Sequence, residues 1–134
     1  MSDLVAKLRS PRTLAGVFGV IGVLHFIVPG SFESAIPRRL PWKRGLVYAS
    51  GVAELTCAAG LLTEASWAGP ASAAVLLSVW PANIQMAIDA TTAKKPAYQQ
   101  IALWVRVPFQ LPMIHTALTA RRSAAGDLPV PSEP

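Results

Sequence analysis

Between Gly45 and Leu62 the chain carries a single charge, Glu54, in a stretch otherwise free of ionised side chains. A helix of that length is long enough to cross a bilayer. A carboxylate at bilayer depth is costly, so inside such a segment it reads as a functional site and needs a named partner. The expected partner is Arg106, the other strong charge inside an apolar run. Whether the two meet, and what their meeting would serve, governs the reading of the whole chain.

The rest of the composition agrees with a lipid environment. Of 134 residues, 52% are hydrophobic and 14% charged, against about 25% charged in ordinary soluble domains. Mean hydropathy is +0.42. The apolar residues come in blocks, without period-2 alternation or a strict helical stripe. Helices apolar all round belong in a core or in lipid, and a chain this short cannot bury four of them as a soluble core. The expected fold is therefore all-α, a four-transmembrane-helix antiparallel bundle occupying residues 1–122, in the cell membrane and multi-pass. A disordered tail over 123–134 follows from its Pro, Ser and Ala content.

Four spans are read from the sequence. They run from about Thr13 to Val28, Gly45 to Leu62, Ala68 to Ile88 and Gln99 to Ala120, the usual length being about 17–25 residues. The first is short. Its basic start resembles a signal peptide, but Pro29-Gly30-Ser31-Phe32 makes a poor cleavage site, so it reads as retained. The short Thr63–Trp67 connection makes the second and third spans antiparallel neighbours. The longer connection after Pro29 holds Phe32, Ile36, Leu40 and Trp42 among Arg38, Arg39 and Lys43, with Pro37 and Pro41 preventing a continuous helix. It reads as an interfacial anchor, with a lid as the sharper alternative. Trp42 and Trp67 read as interface anchors.

The formal charge is +5. A basic chain raises the question of nucleic acid, but Lys7, Arg9, Arg12, Arg38, Arg39, Lys43, Arg44, Lys94, Lys95, Arg121 and Arg122 flank apolar segments and form no stripe. Such placement is that of membrane flanks. The positive-inside count across four spans is nearly balanced, and the first helix leans the reading towards cytoplasmic termini. Cys57 stands alone, so no intramolecular disulfide or C-x-x-C redox pair exists. His25 and His115 lack metal-ligand spacing. No cofactor motif, nucleophile–base pair or metal set appears, so no catalytic residue is assigned and enzymatic action alone is not expected.

The polar residues inside the spans fall at a common depth. At about 1.5 Å per residue, His25, Glu54, Asn83 and Arg106 lie roughly 6–14 Å below the face that carries the first and third connections. Gln110 follows Arg106 by four residues on the same helical face. His115 points elsewhere, about 180° round from Arg106. Ser50, Gly51, Cys57 and Ala58 beside Glu54 are small enough to admit a neighbouring helix or a ligand, as are Gly16, Gly19 and Gly22 in the first span. Pro81, Pro108 and Pro112 free the carbonyls of Leu77, Trp104 and Pro108, which must find other partners. Each polar residue also has a purely structural reading. Glu54 with Arg106 could be an ion pair that fixes geometry, Asn83 an interhelical tether, and His25 a reach to headgroups.

At these residues a family resemblance appears. GVLHFIVPGSF (Gly22 to Phe32), GVAELTCAAGLL (Gly51 to Leu62), WPANIQMAI (Trp80 to Ile88) and RVPFQLPMI (Arg106 to Ile114) resemble four signature stretches of the DoxX-like family of small four-helix membrane proteins. The match extends from about Leu14 to Leu118 and touches His25, Pro29, Gly51, Glu54, Pro81, Asn83, Arg106 and Gln110. That family includes a subunit of a thiosulfate:quinone oxidoreductase. It is similar to a methylamine-utilisation maturation protein and to an animal chaperone of nicotinic receptors. The resemblance implies a fold and a polar site more than one activity, and the missing dithiol argues against thiol exchange.

Three functions are expected in order. The first is an accessory or binding subunit of bacterial membrane redox metabolism, with His25, Glu54, Asn83, Arg106 and Gln110 holding a quinone-like headgroup. The second is an assembly factor for another membrane protein, with the polar cluster structural. The third is a proton or small-solute conductor using Glu54 as relay. The partners expected are the lipid bilayer and another membrane protein or a second copy of the chain. No nucleic acid and no resident metal are expected.

Overall fold

The computed structural model describes residues 10–125, excepting the side chains of 121–125. All regular structure there is helical: α1 Pro11–Ile27, α2 Pro29–Glu33, α3 Lys43–Leu62, α4 Ala68–Thr92 and α5 Ala97–Ala125.

Local chemistry sets the boundaries. The Ser10 hydroxyl caps α1 by accepting from the Thr13 N–H at 3.1 Å, with Pro11 in the first turn. A hydroxyl cap followed by proline is a standard helix start. Pro29 disfavours helical geometry at Val28, ends α1 and opens α2. The α3–α4 and α4–α5 connections both leave their helix through a left-handed residue that is not glycine, Glu64 (φ 55) and Lys94 (φ 49). At each, a reverse bond closes the last turn: Ala65 N–H to Gly60 O at 2.9 Å and Lys95 N–H to Ala90 O at 3.0 Å. The α5 helix runs to Ala125, past the expected start of the tail. The remainder of that tail, and the flanking Lys7 and Arg9, lie outside the described residues.

The four long helices sit close to the expected positions, but the four-transmembrane-helix bundle is overturned. Among the described residues there are five helices, and two of them, α3 and α4, are long and apolar enough to cross a membrane. The reasons are visible residue by residue. The α1 helix has 17 residues, about 25 Å at the α-helical rise, against a hydrocarbon core of about 30 Å. The α5 helix is long enough, but Gln99, Gln100, Arg106, Gln110, His115, Thr116 and Thr119 dilute its apolar content. The all-α expectation stands.

The helices pack as two pairs. The α1 helix lies chiefly on α3, and α4 lies chiefly on α5. The pairs join along α3–α4 and, more sparingly, along α1–α5. The shared core includes Leu14, Phe18, Cys57, Leu61, Ala68, Leu76 and Ala117, with the partly buried Ala65 packed against it. Close packing therefore fills the half of the molecule nearest the α3–α4 connection. In the other half the two pairs stand apart around a cavity.

Candidate functional site

The α1–α3 contact is glycine on glycine. A Cβ at Gly51 would fall 2.9 Å from His25 Cβ and 3.1 Å from the Gly22 carbonyl oxygen, and one at Gly22 would fall 3.2 Å from the Gly51 carbonyl oxygen. Bare backbones let the helices approach to a distance no side chain would permit. Each glycine precedes a polar residue by three positions, in Gly22-x-x-His25 and Gly51-x-x-Glu54. Positions three apart share a helix face, so the glycine contact carries His25 and Glu54 together, Nδ1 to Oε2 at 3.3 Å. Both are buried, at 7% and 5% exposure. Gly16 and Gly19, expected to serve the same purpose, meet nothing within 4 Å.

The hydrogen on His25 Nδ1 is committed elsewhere. Nδ1 lies 2.8 Å from the Ile21 carbonyl oxygen. A carbonyl only accepts, so Nδ1 must carry the hydrogen and donate it there. Glu54 Oε2 is accordingly a buried atom with no hydrogen-bond partner among the described residues. The ring of His25 stacks on Phe32 of α2, centroids 3.9 Å apart. An ion pair between Arg44 Nε and Glu33 Oε1 at 2.7 Å holds α2 against the start of α3.

The second pair is tied by a directed chain of amides. Gln110 Nε2 donates to the Leu76 carbonyl across the α4–α5 interface. Asn83 Nδ2 in turn donates to Gln110 Oε1 at 2.8 Å. The direction is forced, because the Leu76 carbonyl only accepts. Trp80 Nε1 adds a bond to the Val107 carbonyl at 3.1 Å. These cross-helix donors reach Leu76 and Val107, each one residue before a proline-freed carbonyl. The carbonyls named from the sequence were those of Leu77, Trp104 and Pro108, so these bonds fall one residue before two of the three.

His25, Glu54, Asn83, Arg106 and Gln110 all lie on the wall of one cavity of about 450 Å³. It opens between the two pairs. Val17, Ile21, Val79 and Phe109 supply apolar wall, and Ser31, Phe32, Ala35 and Ile36 close part of it. The connection after α1 thus contributes wall, beyond the anchoring role expected of it. Trp42, expected as an interface anchor, is 88% exposed. His115 is exposed and does not line the cavity.

The expected Glu54–Arg106 ion pair is not formed. Arg106 is exposed at the cavity wall and makes no hydrogen bond or ion pair with a described residue, and the basic side chain within ion-pair distance of Glu54 is His25. The guanidinium acts on the carboxylate only through space. The pairing rested on both being isolated charges in apolar runs. The α1–α3 glycine contact decides otherwise, and the matched Gly-x-x-polar spacing was the signal for it. Phe32 was also missed as a site residue, since its stacking on His25 depends on the turn at Pro29.

These features define a class: an all-helical protein with a cavity between two helix pairs, apolar for most of its wall and polar at a few converging side chains. Within that class the chain belongs to the family described as Domain of unknown function (DUF8561), which matches residues 14–121. No curated protein and no solved structure matches the chain.

Proposed function

We propose that the protein is a membrane-inserted binding subunit, distantly akin to the DoxX-like proteins, that serves bacterial membrane redox metabolism by holding a quinone-like headgroup between its helix pairs. The single observation that carries this reading is the cavity of about 450 Å³ on which His25, Glu54, Asn83, Arg106 and Gln110 converge. Small-molecule sites are concave and mostly apolar, with a few placed polar groups, at about 300–1,000 Å³. A flat ring fits beside Phe32, and an apolar tail fits the remaining wall.

Membrane insertion as a hairpin of α3 and α4 supports the choice of an apolar ligand. Only 39% and 22% of the residues in their apolar stretches are buried within the protein. Exposed apolar faces of that extent call for lipid or a partner. Their lipid-facing residues include Val52, Leu62 and Leu77. The protein needs no chemistry of its own here: it holds a ring while a partner supplies electrons.

The test is to purify the protein from its native membrane and extract what it carries. Arg106 makes no structural bond, so Arg106→Leu leaves the fold in place. The parent is expected to retain quinone-type lipid, oxidised plus reduced, at near-stoichiometric level, and Arg106→Leu to retain several-fold less. Background content in both eliminates this reading.

A further inference from the structure

We infer that the molecule held in the cavity gives a hydroxyl hydrogen to Glu54, so that the site takes an apolar phenol or alcohol in preference to the corresponding ether or ketone. The inference rests on the binding role proposed above and adds the ligand's polar group. It follows from which donors and acceptors the protein has already used.

One hydrogen of each side-chain amide is engaged first. Gln110 Nε2 is held by the Leu76 carbonyl and Asn83 Nδ2 by Gln110 Oε1. That orientation leaves Asn83 Oδ1, an acceptor, unmatched. His25 Nδ1–H is held by the Ile21 carbonyl. What remains on the wall, besides the Arg106 guanidinium, is acceptor capacity, above all the Glu54 carboxylate: it is 5% exposed, takes no hydrogen bond from a described residue, and with Oε2 enclosed meets a ligand at its other oxygen. A buried acceptor left unmatched is costly, and a ligand that supplies the hydrogen recovers that cost.

The choice among donors is made by charge and shape. Arg106 on the same wall presents positive charge to the carboxylate. It suits a ligand atom that also accepts, and it disfavours an ammonium ligand. A hydroxyl answers both: its hydrogen goes to Glu54 and its lone pairs stay available to Arg106. Phe32, stacked on His25 at 3.9 Å, offers a face for a ring. For a quinone-type ring the hydroxylic form is the reduced one.

The experiment uses the full chain in lipid nanodiscs, with protein-free nanodiscs as blank. Three probes that share one hexyl-substituted ring are titrated calorimetrically: para-hexylphenol, para-hexylanisole and para-hexylacetophenone. The parent is expected to bind the phenol at least about tenfold more tightly than the other two, the worth of one hydrogen bond to a charged group. Glu54→Leu should remove that preference while still binding the ether. Glu54→Gln, which keeps an acceptor, should retain a reduced preference and covers the case in which the leucine variant does not fold. Equal affinities in the parent overturn the inference and leave the binding reading standing. A preference for the ketone also overturns it, by making Glu54 the donor. Saturable binding of none of the three overturns the binding reading itself.

Discussion

At the scale of single residues, two glycines decide which polar groups meet. Gly22 and Gly51 allow a backbone approach that sets His25 against Glu54. Alanine at position 51 would put its Cβ 2.7 Å from Phe26 Cε2 and 2.9 Å from His25 Cβ. Overpacking of this kind costs about 1–3 kcal/mol. Gly16 is the internal control, because a Cβ there meets nothing within 4 Å. Helix propensity alone should then stabilise Gly16→Ala by up to about 1 kcal/mol. Thermal unfolding in detergent should show Gly51→Ala melting below the parent and Gly16→Ala at or above it. Equal melting points for the two variants would remove the close contact from the argument. The candidate site was only partly legible in the sequence. Depth along each helix pointed to His25, Glu54, Asn83, Arg106 and Gln110, because helical rise is regular and polar residues in apolar runs stand out. Who bonds to whom was not legible. That depends on helix rotation, which the glycine contact fixes for α1–α3 and the amide chain fixes for α4–α5.

At the scale of elements, the positions of the long helices were readable because prolines and short polar connections punctuate the chain. Their capacity to span a membrane was not, since four apolar blocks looked alike when judged by their least polar stretches. Counted over a full span, α1 is too short and α5 too polar. The turns between helices carry a separate consequence. Glu64 and Lys94 adopt left-handed backbone with side chains attached. For a residue other than glycine that geometry costs about 1–2 kcal/mol. Glycine removes the strain and loses part of the gain to its greater freedom when unfolded. Glu64→Gly and Lys94→Gly should therefore each stabilise by about 0.5–1 kcal/mol, additively because the turns terminate different helices. Chemical denaturation of the single and double variants measures this. A loss of stability in both singles would mean that the side chains contribute more than the backbone strain costs.

At the scale of the whole molecule, the cavity exists because packing is tight within each pair and looser between them, while the α3–α4 connection hinges the pairs at one end. Inserting α3 and α4 as a hairpin would orient everything else. Arg38, Arg39, Lys43, Arg44, Lys94 and Lys95 flank one end of these two helices, and Glu64 sits in the connection at the other. Over four spans the basic residues nearly cancelled. Over two they do not, and for an inserted hairpin the positive-inside tendency would favour the basic end in the cytoplasm. That orientation would reverse the lean towards an external first connection and would put the polar half of the cavity on the cytoplasmic side. The check is cysteine labelling in intact cells, with the buried Cys57 replaced by serine. A cysteine in place of Glu64 should react with a membrane-impermeant maleimide from outside, and one in place of Lys94 only after lysis. The opposite pattern would restore the earlier orientation. Labelling of both from the same side would end the hairpin, because the two positions lie at opposite ends of α4, whose 25 residues extend about 37 Å.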